Sequence, residues 1–123
     1  MIPFKYRFHG HGSLRFVYKN GRAIRTHLVT VKATANPHRK HPRFAVVVSK
    51  KVLKSAVGRN RIRRRVYEVV RRFMSSDFPP VDLVFIVSSS EILSQSPAEL
   101  EALLSDLISQ ATDYTPQTKD DII

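Results

Sequence analysis

The sequence predicts a single α/β domain with its elements in the order α-β-β-α-β-α, and three observations carry that prediction. Residues 43–49 and 81–88 contain short apolar runs, Phe44-Ala45-Val46-Val47-Val48 and Val81-Asp82-Leu83-Val84-Phe85-Ile86-Val87, with the length and composition of covered strands. Between them, residues 56–74 repeat apolar side chains at helical spacing. The 123 residues, 42% hydrophobic, suffice for one modest core and leave little room for a second domain.

Taken in order, Ser13 is placed to cap a helix over residues 14–20, and Gly21 to stop it. Leu14, Val17 and Tyr18 fall at i, i+3 and i+4 and give that helix one apolar face. Residues 23–34, with Ile24, Val29, Val31 and three Thr, read as one strand. Residues 35–42 hold two Pro, two His and two cations and read as a polar hairpin loop leading into the strand of 43–49. In the helix of 56–74, Ile62, Val66, Val69 and Phe73 share a narrow arc with Val70 beside it. Asn60, Arg64, Tyr67 and Arg71 run along the opposite stripe, and Arg61, Arg65 and Arg72 along one shoulder. After the break at 77–80 and the strand of 81–88, Ser96-Pro97-Ala98-Glu99 combines a capping box with Pro at the first helical position. The helix it opens sets Leu100, Leu103, Leu104, Leu107, Ile108 and Ala111 on one side. Residues 1–12 are expected to be an N-terminal extension, 13–111 the domain and 112–123 a flexible tail.

Charge narrows the function. The net charge is +11, unevenly placed. Residues 1–75 carry 20 of the 21 Lys and Arg against the single acid Glu68, a net +19, whereas residues 76–123 carry Lys119 against nine acids, a net −8. Uncompensated like charges repel and do nothing for fold stability, so the pattern calls for a polyanionic partner. An anionic membrane is the weaker candidate: there is no spanning run, and the apolar face of the basic helix is needed to cover strands. No Cys is present, and the N-terminus lacks the apolar stretch of a signal peptide, so a cytoplasmic protein is expected.

The basic residues concentrate in Lys50-Lys51, Lys54 and Arg59-Asn60-Arg61-Ile62-Arg63-Arg64-Arg65. Solvated helix faces ordinarily alternate sign to gain i, i+4 pairs, but here seven Arg between positions 59 and 72 meet only Glu68. The forked guanidinium suits bidentate phosphate contacts and stacking on bases. Catalytic groups are absent: there is no nucleophile–base spacing and no Gly-rich phosphate loop, and the acids lie away from the basic half. The pairs His9/His11 and His38/His41 lack the Cys or carboxylate companions of a zinc site, so no metal is expected on the protein and phosphate contact is the better reading.

The stretch Ser49-Lys50-Lys51-Val52, followed by Ala56-Val57-Gly58-Arg59-Asn60-Arg61-Ile62-Arg63-Arg64, strongly resembles the RNR signature of the bacterial ribonuclease P protein family. Residues 16–22, 81–87 and Glu99-Leu100 resemble that family's first helix, last strand and C-terminal helix, so the likeness spans roughly residues 13–110. The resemblance implies a two-layer α/β sandwich of ribosomal-protein type with a left-handed β-α-β crossover. It implies that Lys50, Lys51, Lys54, Arg59, Asn60, Arg61, Arg63, Arg64, Arg65 and Arg71 bind the catalytic RNA. It also implies a cleft for the 5′ leader of precursor tRNA at Leu14, Tyr18, Thr30 and Lys32, with Arg59 and Asn60 at its edge. The family usually has aromatic residues where Leu14 and Lys32 stand, so Tyr18 is the aromatic retained.

The function this implies is the non-catalytic protein subunit of ribonuclease P, assisting endonucleolytic removal of the leader. Mg²⁺ would be held mainly by the RNA and substrate, and none by the protein alone. The alternative is a structural RNA-binding protein of ribosomal type with no part in processing. A major-groove DNA binder fits poorly, because the Arg-rich helix lacks a preceding partner helix joined by a short turn.

Overall fold

The computed structural model describes residues 4–8, 11–74 and 77–116. A 3₁₀ turn at Phe4–Tyr6 precedes helix α1 (Gly12–Asn20), strands β1 (Arg22–Arg25), β2 (Val29–Ala35) and β3 (Arg43–Val48), helix α2 (Ala56–Arg72), strand β4 (Val81–Val87), a 3₁₀ turn at Ser90–Ser94 and helix α3 (Pro97–Thr112). The α/β class is as predicted, but the order is α-β-β-β-α-β-α. The expected single strand of 23–34 is a hairpin of two. Thr26 breaks it: its N–H and hydroxyl both donate to the Val29 carbonyl, at 3.0 and 2.7 Å, and its hydroxyl oxygen accepts from Val29 N–H at 3.1 Å.

The four strands form one sheet in the order β1-β2-β4-β3. β2 pairs antiparallel with β1 and β4, and β3 pairs parallel with β4. The expected hairpin across residues 35–42 is therefore corrected. β4 lies between β2 and β3, and the connection passes over its start, with Asn36 N–H donating to the Pro80 carbonyl at 2.9 Å. β3 and β4, joined through α2, make the parallel β-α-β unit.

Alternation along the strands sorts the two faces. Val29, Val31, Phe44, Val46, Val48, Leu83, Phe85 and Val87 are buried in the main core with Ile62, Val66, Val69 and Val70 of α2 and Leu100, Leu104, Leu107 and Ile108 of α3. Two helices thus make one layer and the sheet the other. α3 begins with the predicted capping box, Ser96 and Glu99 exchanging hydrogen bonds of 3.1 Å.

α1 lies on the other face, where Val17 and Val84 are fully buried outside the main core. Its start differs from the prediction. His11 is the N-cap and Ser13 is inside the first turn, its hydroxyl accepting from Arg43 Nη1 at 3.3 Å instead of capping the backbone. Gly21 does end α1, with its N–H on the Val17 carbonyl at 2.8 Å. Glycine is required there by closeness rather than by a left-handed backbone: a Cβ would stand 2.5 Å from that carbonyl oxygen.

Tyr114, in the stretch expected to be a tail, packs its ring on Phe78 at 4.8 Å between centroids. Residues 117–123 lie outside the described residues, as does His9.

Candidate nucleic-acid interface

Ser55 opens α2 by accepting the Gly58 N–H at 3.1 Å. The loop before it, residues 49–54, turns on the Ser49 carbonyl, which receives the Val52 and Leu53 N–H groups. Leu53 fills the space beside Gly58, and any Cβ on Gly58 would collide with its side chain. Loop and helix start are thus packed as one piece.

Burial of the apolar arc decides which cations of α2 are available. Asn60, Arg61, Arg64, Glu68 and Arg71 are exposed, whereas Arg59, Arg63, Arg65, Tyr67 and Arg72 are half-buried. Several Arg are engaged inside the protein. Arg59 Nη1 donates to the Leu53 and Lys54 carbonyls at 3.0 and 2.7 Å, bracing the basic loop against the helix. Arg65 donates to the carbonyls of Ile92 and Leu93, at 3.1 and 2.6 Å, and of Gln95, tying α2 to the segment between β4 and α3. Arg63 Nη2 donates to Asn60 Oδ1 at 2.7 Å, Arg71 pairs with Glu68 at 2.6 Å, and Arg72 lies 3.4 Å from Glu101. Arg61, Arg64, Lys50, Lys51 and Lys54 are exposed and form no ion pair among the described residues.

Tyr67, grouped by its spacing with the polar stripe, turns toward the sheet. Its hydroxyl accepts the outward N–H of Val46 at 3.2 Å and so satisfies one donor on the outer edge of β3, beside the bridge of Phe44 with Arg7. Burial raises its pKa above the ordinary 10.0, opposed by the Val46 hydrogen bond and the nearby charges of Arg7 and Arg63.

The second group of site residues meets on the face under α1. Lys32 Nζ donates to the Tyr18 carbonyl at 2.8 Å and stands 5.2 Å from the centre of the Tyr18 ring. Leu14, Tyr18, Thr30 and Lys32 are all half-buried, and burial raises the Tyr18 pKa. Strand register sets Thr30 beside Ile86 and Ile86 beside Val47, a row next to the end of β3 from which the basic loop departs. Arg59 and Asn60, in the first turn of α2, follow that loop. A partly open sheet face thus runs from the Tyr18–Lys32 pair toward the loop that leads to the exposed cations.

A scan against protein families matches residues 2–112 to the model described as Ribonuclease P. The chain belongs to the ribonuclease P protein family. A ribonuclease P protein component from Cyanothece sp. (strain PCC 7425) is 32% identical over 124 residues, covering 86% of this chain and 95% of that protein. One from Roseiflexus castenholzii is 36% identical over 95 residues, covering 77% and 76%. Among solved structures, the Staphylococcus aureus RNase P protein superposes with a TM-score of 0.75 at 23% identity, covering 87% of this chain and 95% of that one. The Thermotoga maritima RNase P protein gives 0.66 at 20%, covering 88% and 96%, and these two likenesses establish the shared fold. Membership of the ribonuclease P family makes the chain a component of a tRNA-processing ribonuclease, with RNA as its partner.

Two features escaped the sequence reading. Arg43 and Asp82 form a buried ion pair at 2.7 Å, for which an isolated Arg and Asp 39 positions apart give no local cue. Phe16 is 58% exposed. Its signal was present, since position 16 lies about 200° around the helix from Leu14 and Tyr18 at 3.6 residues per turn.

Proposed function

We propose that this chain is the non-catalytic protein subunit of ribonuclease P. In this reading it docks on the catalytic RNA through the loop of 49–54 and the exposed row of α2, and it holds the single-stranded 5′ leader of precursor tRNA on the open sheet face beside α1. The observation that carries the reading is the set of exposed cations Lys50, Lys51, Lys54, Arg61 and Arg64, all of one sign and without internal counter-charges, next to that face.

The geometry supports a division of labour in this reading. Arg59 and Arg65 hold the platform rigid through backbone carbonyls, leaving Arg61, Arg64 and the three Lys for phosphates. Lys32 supplies a charge beside the Tyr18 ring, so a leader nucleotide meets a cation and an aromatic surface together. Among the described residues no three His, Asp or Glu side chains converge on a possible metal position. The reading leaves Mg²⁺ with the RNA and substrate. No helix among the described residues is long and apolar enough to cross a membrane. The reading puts the chain in the cytoplasm with precursor tRNA.

The test is addition of the purified protein to ribonuclease P RNA and precursor tRNA at low Mg²⁺. Faster leader removal than by the RNA alone, with no cleavage by the protein alone, is the expected result. RNA binding without any gain in cleavage would favour the ribosomal-type alternative.

A further inference from the structure

The geometry points to a second RNA-binding site on the other flank of α1, built from Phe16 with His38 and Arg39 of the basic connection between β2 and β3, and with Lys40 next to them in the chain, which takes a single-stranded nucleotide segment. The inference rests on the ribonuclease P reading for the identity of the RNAs, but its residues are distinct from those of the first cleft.

α1 crosses the open sheet face and divides it. Leu14 and Tyr18 flank one side, toward Thr30 and Lys32. On the other side a cleft of about 690 Å³ opens between α1 and the connection of β2 to β3, lined by Ser13, Phe16, Thr34, His38 and Arg39. Its floor is the Arg43–Asp82 pair, whose charges satisfy one another, while Asn36 Nδ2 donates to Asp82 Oδ1 at 2.9 Å. The Asp82 carboxylate is therefore occupied and leaves the connection uncompensated. His38, Arg39, Lys40 and His41 are all exposed, and none forms an ion pair among the described residues.

The bland reading is a solvated loop. Against it stands Phe16, an aromatic ring 58% exposed at the mouth of the same cleft. A ring that faces water beside a run of cations is the combination that single-stranded nucleic acid uses: a base stacks on the ring and its phosphates meet the cations. The location adds weight. β2 climbs about 20 Å from Val29 to Ala35 at the strand rise per residue, so this connection lies at the far end of the sheet from the basic loop of 49–54. Charge at both ends suits a polyanion longer than the first cleft can hold. Two RNA sources offer this chemistry, the distal part of the leader and a single-stranded stretch of the catalytic RNA.

The experiment uses the reconstituted holoenzyme with two variants, Phe16→Ser and the pair Arg39→Ser/Lys40→Ser, all at exposed positions. Affinity is measured for ribonuclease P RNA, for mature tRNA, and for precursor tRNA with short and with long leaders, across a salt series. Phe16→Ser is expected to weaken one ligand by at least about five-fold, the lower end for loss of one base–aromatic stack. Arg39→Ser/Lys40→Ser is expected to flatten the slope of log affinity against log salt by roughly 1.4, the value for two single-strand phosphate contacts. Losses confined to long-leader substrate identify the distal leader, and losses confined to assembly identify the catalytic RNA. Either supports the site. Unchanged affinity for all four ligands, with Arg64→Ala still weakening assembly, overturns the second site and leaves the proposed function standing. Failure of the unsubstituted chain to assemble with the RNA overturns both.

Discussion

The Arg43 guanidinium grips the Asp82 carboxylate through two buried hydrogen bonds, Nε to Oδ1 at 2.9 Å and Nη2 to Oδ2 at 2.7 Å, across the parallel register of β3 and β4. Ser13 of α1, Asn36 of the connection and the ring of Phe8, 4.7 Å from Arg43 Cζ, complete the cluster. Asp82→Ala leaves the Arg43 charge buried without a counter-charge and is expected to destabilise the fold by about 3–5 kcal/mol in urea denaturation. The double change Arg43→Met/Asp82→Leu is expected to lose less than Asp82→Ala alone. A loss below about 1 kcal/mol, the scale of an exposed pair, would mean that water reaches the cluster.

On the proposed reading, the two faces of α2 separate stability from binding. Phe73 is 1% exposed, and Phe73→Ala is expected to cost about 3–5 kcal/mol. Arg64→Ala removes an exposed cation, so the melting temperature should barely move while RNA affinity and its salt dependence both fall. Thermal melts beside RNA titrations in a salt series check both. Equal effects of the two changes on melting would contradict the assignment.

Tyr18 tests the leader cleft. Tyr18→Leu keeps much of the apolar bulk against the sheet but removes the ring beside Lys32. The holoenzyme is expected to bind precursor tRNA more weakly by about 1–3 kcal/mol, with mature tRNA unaffected. Equal weakening for both tRNAs, or a cooperative loss of folding, would assign Tyr18 to packing alone.

Tyr67 gives a pH dependence. Its pKa is raised in the folded chain, so its contribution to stability is fully present below the unfolded value near 10.0 and is lost as pH rises through the folded value. Denaturation midpoints should therefore decline above about pH 10, and Tyr67→Phe should flatten that decline while lowering stability at neutral pH through loss of the Val46 hydrogen bond. An alkaline decline of the same slope in Tyr67→Phe would remove Tyr67 as its source.

Most of the architecture was legible because periodicity reports burial directly. The arc of Ile62, Val66, Val69 and Val70 and the capping box at Ser96 are local patterns with one structural solution. The split at Thr26 was not legible: the turn of 26–29 is closed by a threonine hydroxyl, without the Gly, Pro or Asn that announces a hairpin. Pairing between strands distant in sequence was equally hidden, so 35–42 read as a hairpin although β4 intervenes. Along α2, charge density in the sequence could not divide the arginines. Arg65 and Arg59 look like Arg61 and Arg64 in sequence, and only the positions of the Ile92 and Leu53 carbonyls separate the braces from the free cations.

β2 and β3 share no pairing, and each reaches the other only through β4, which begins at Val81. The first 75 residues hold nearly all the positive charge and three of the four strands, yet the strand that aligns them belongs to the acidic part of the chain. A fragment ending before Val81 would keep every arginine of α2 and still attract RNA as a loose polycation. It would have no continuous sheet to set α1 on one face and α2 on the other. On the proposed reading, binding of some kind belongs to the first part of the chain, and the shape that turns binding into placement arrives with the last strand.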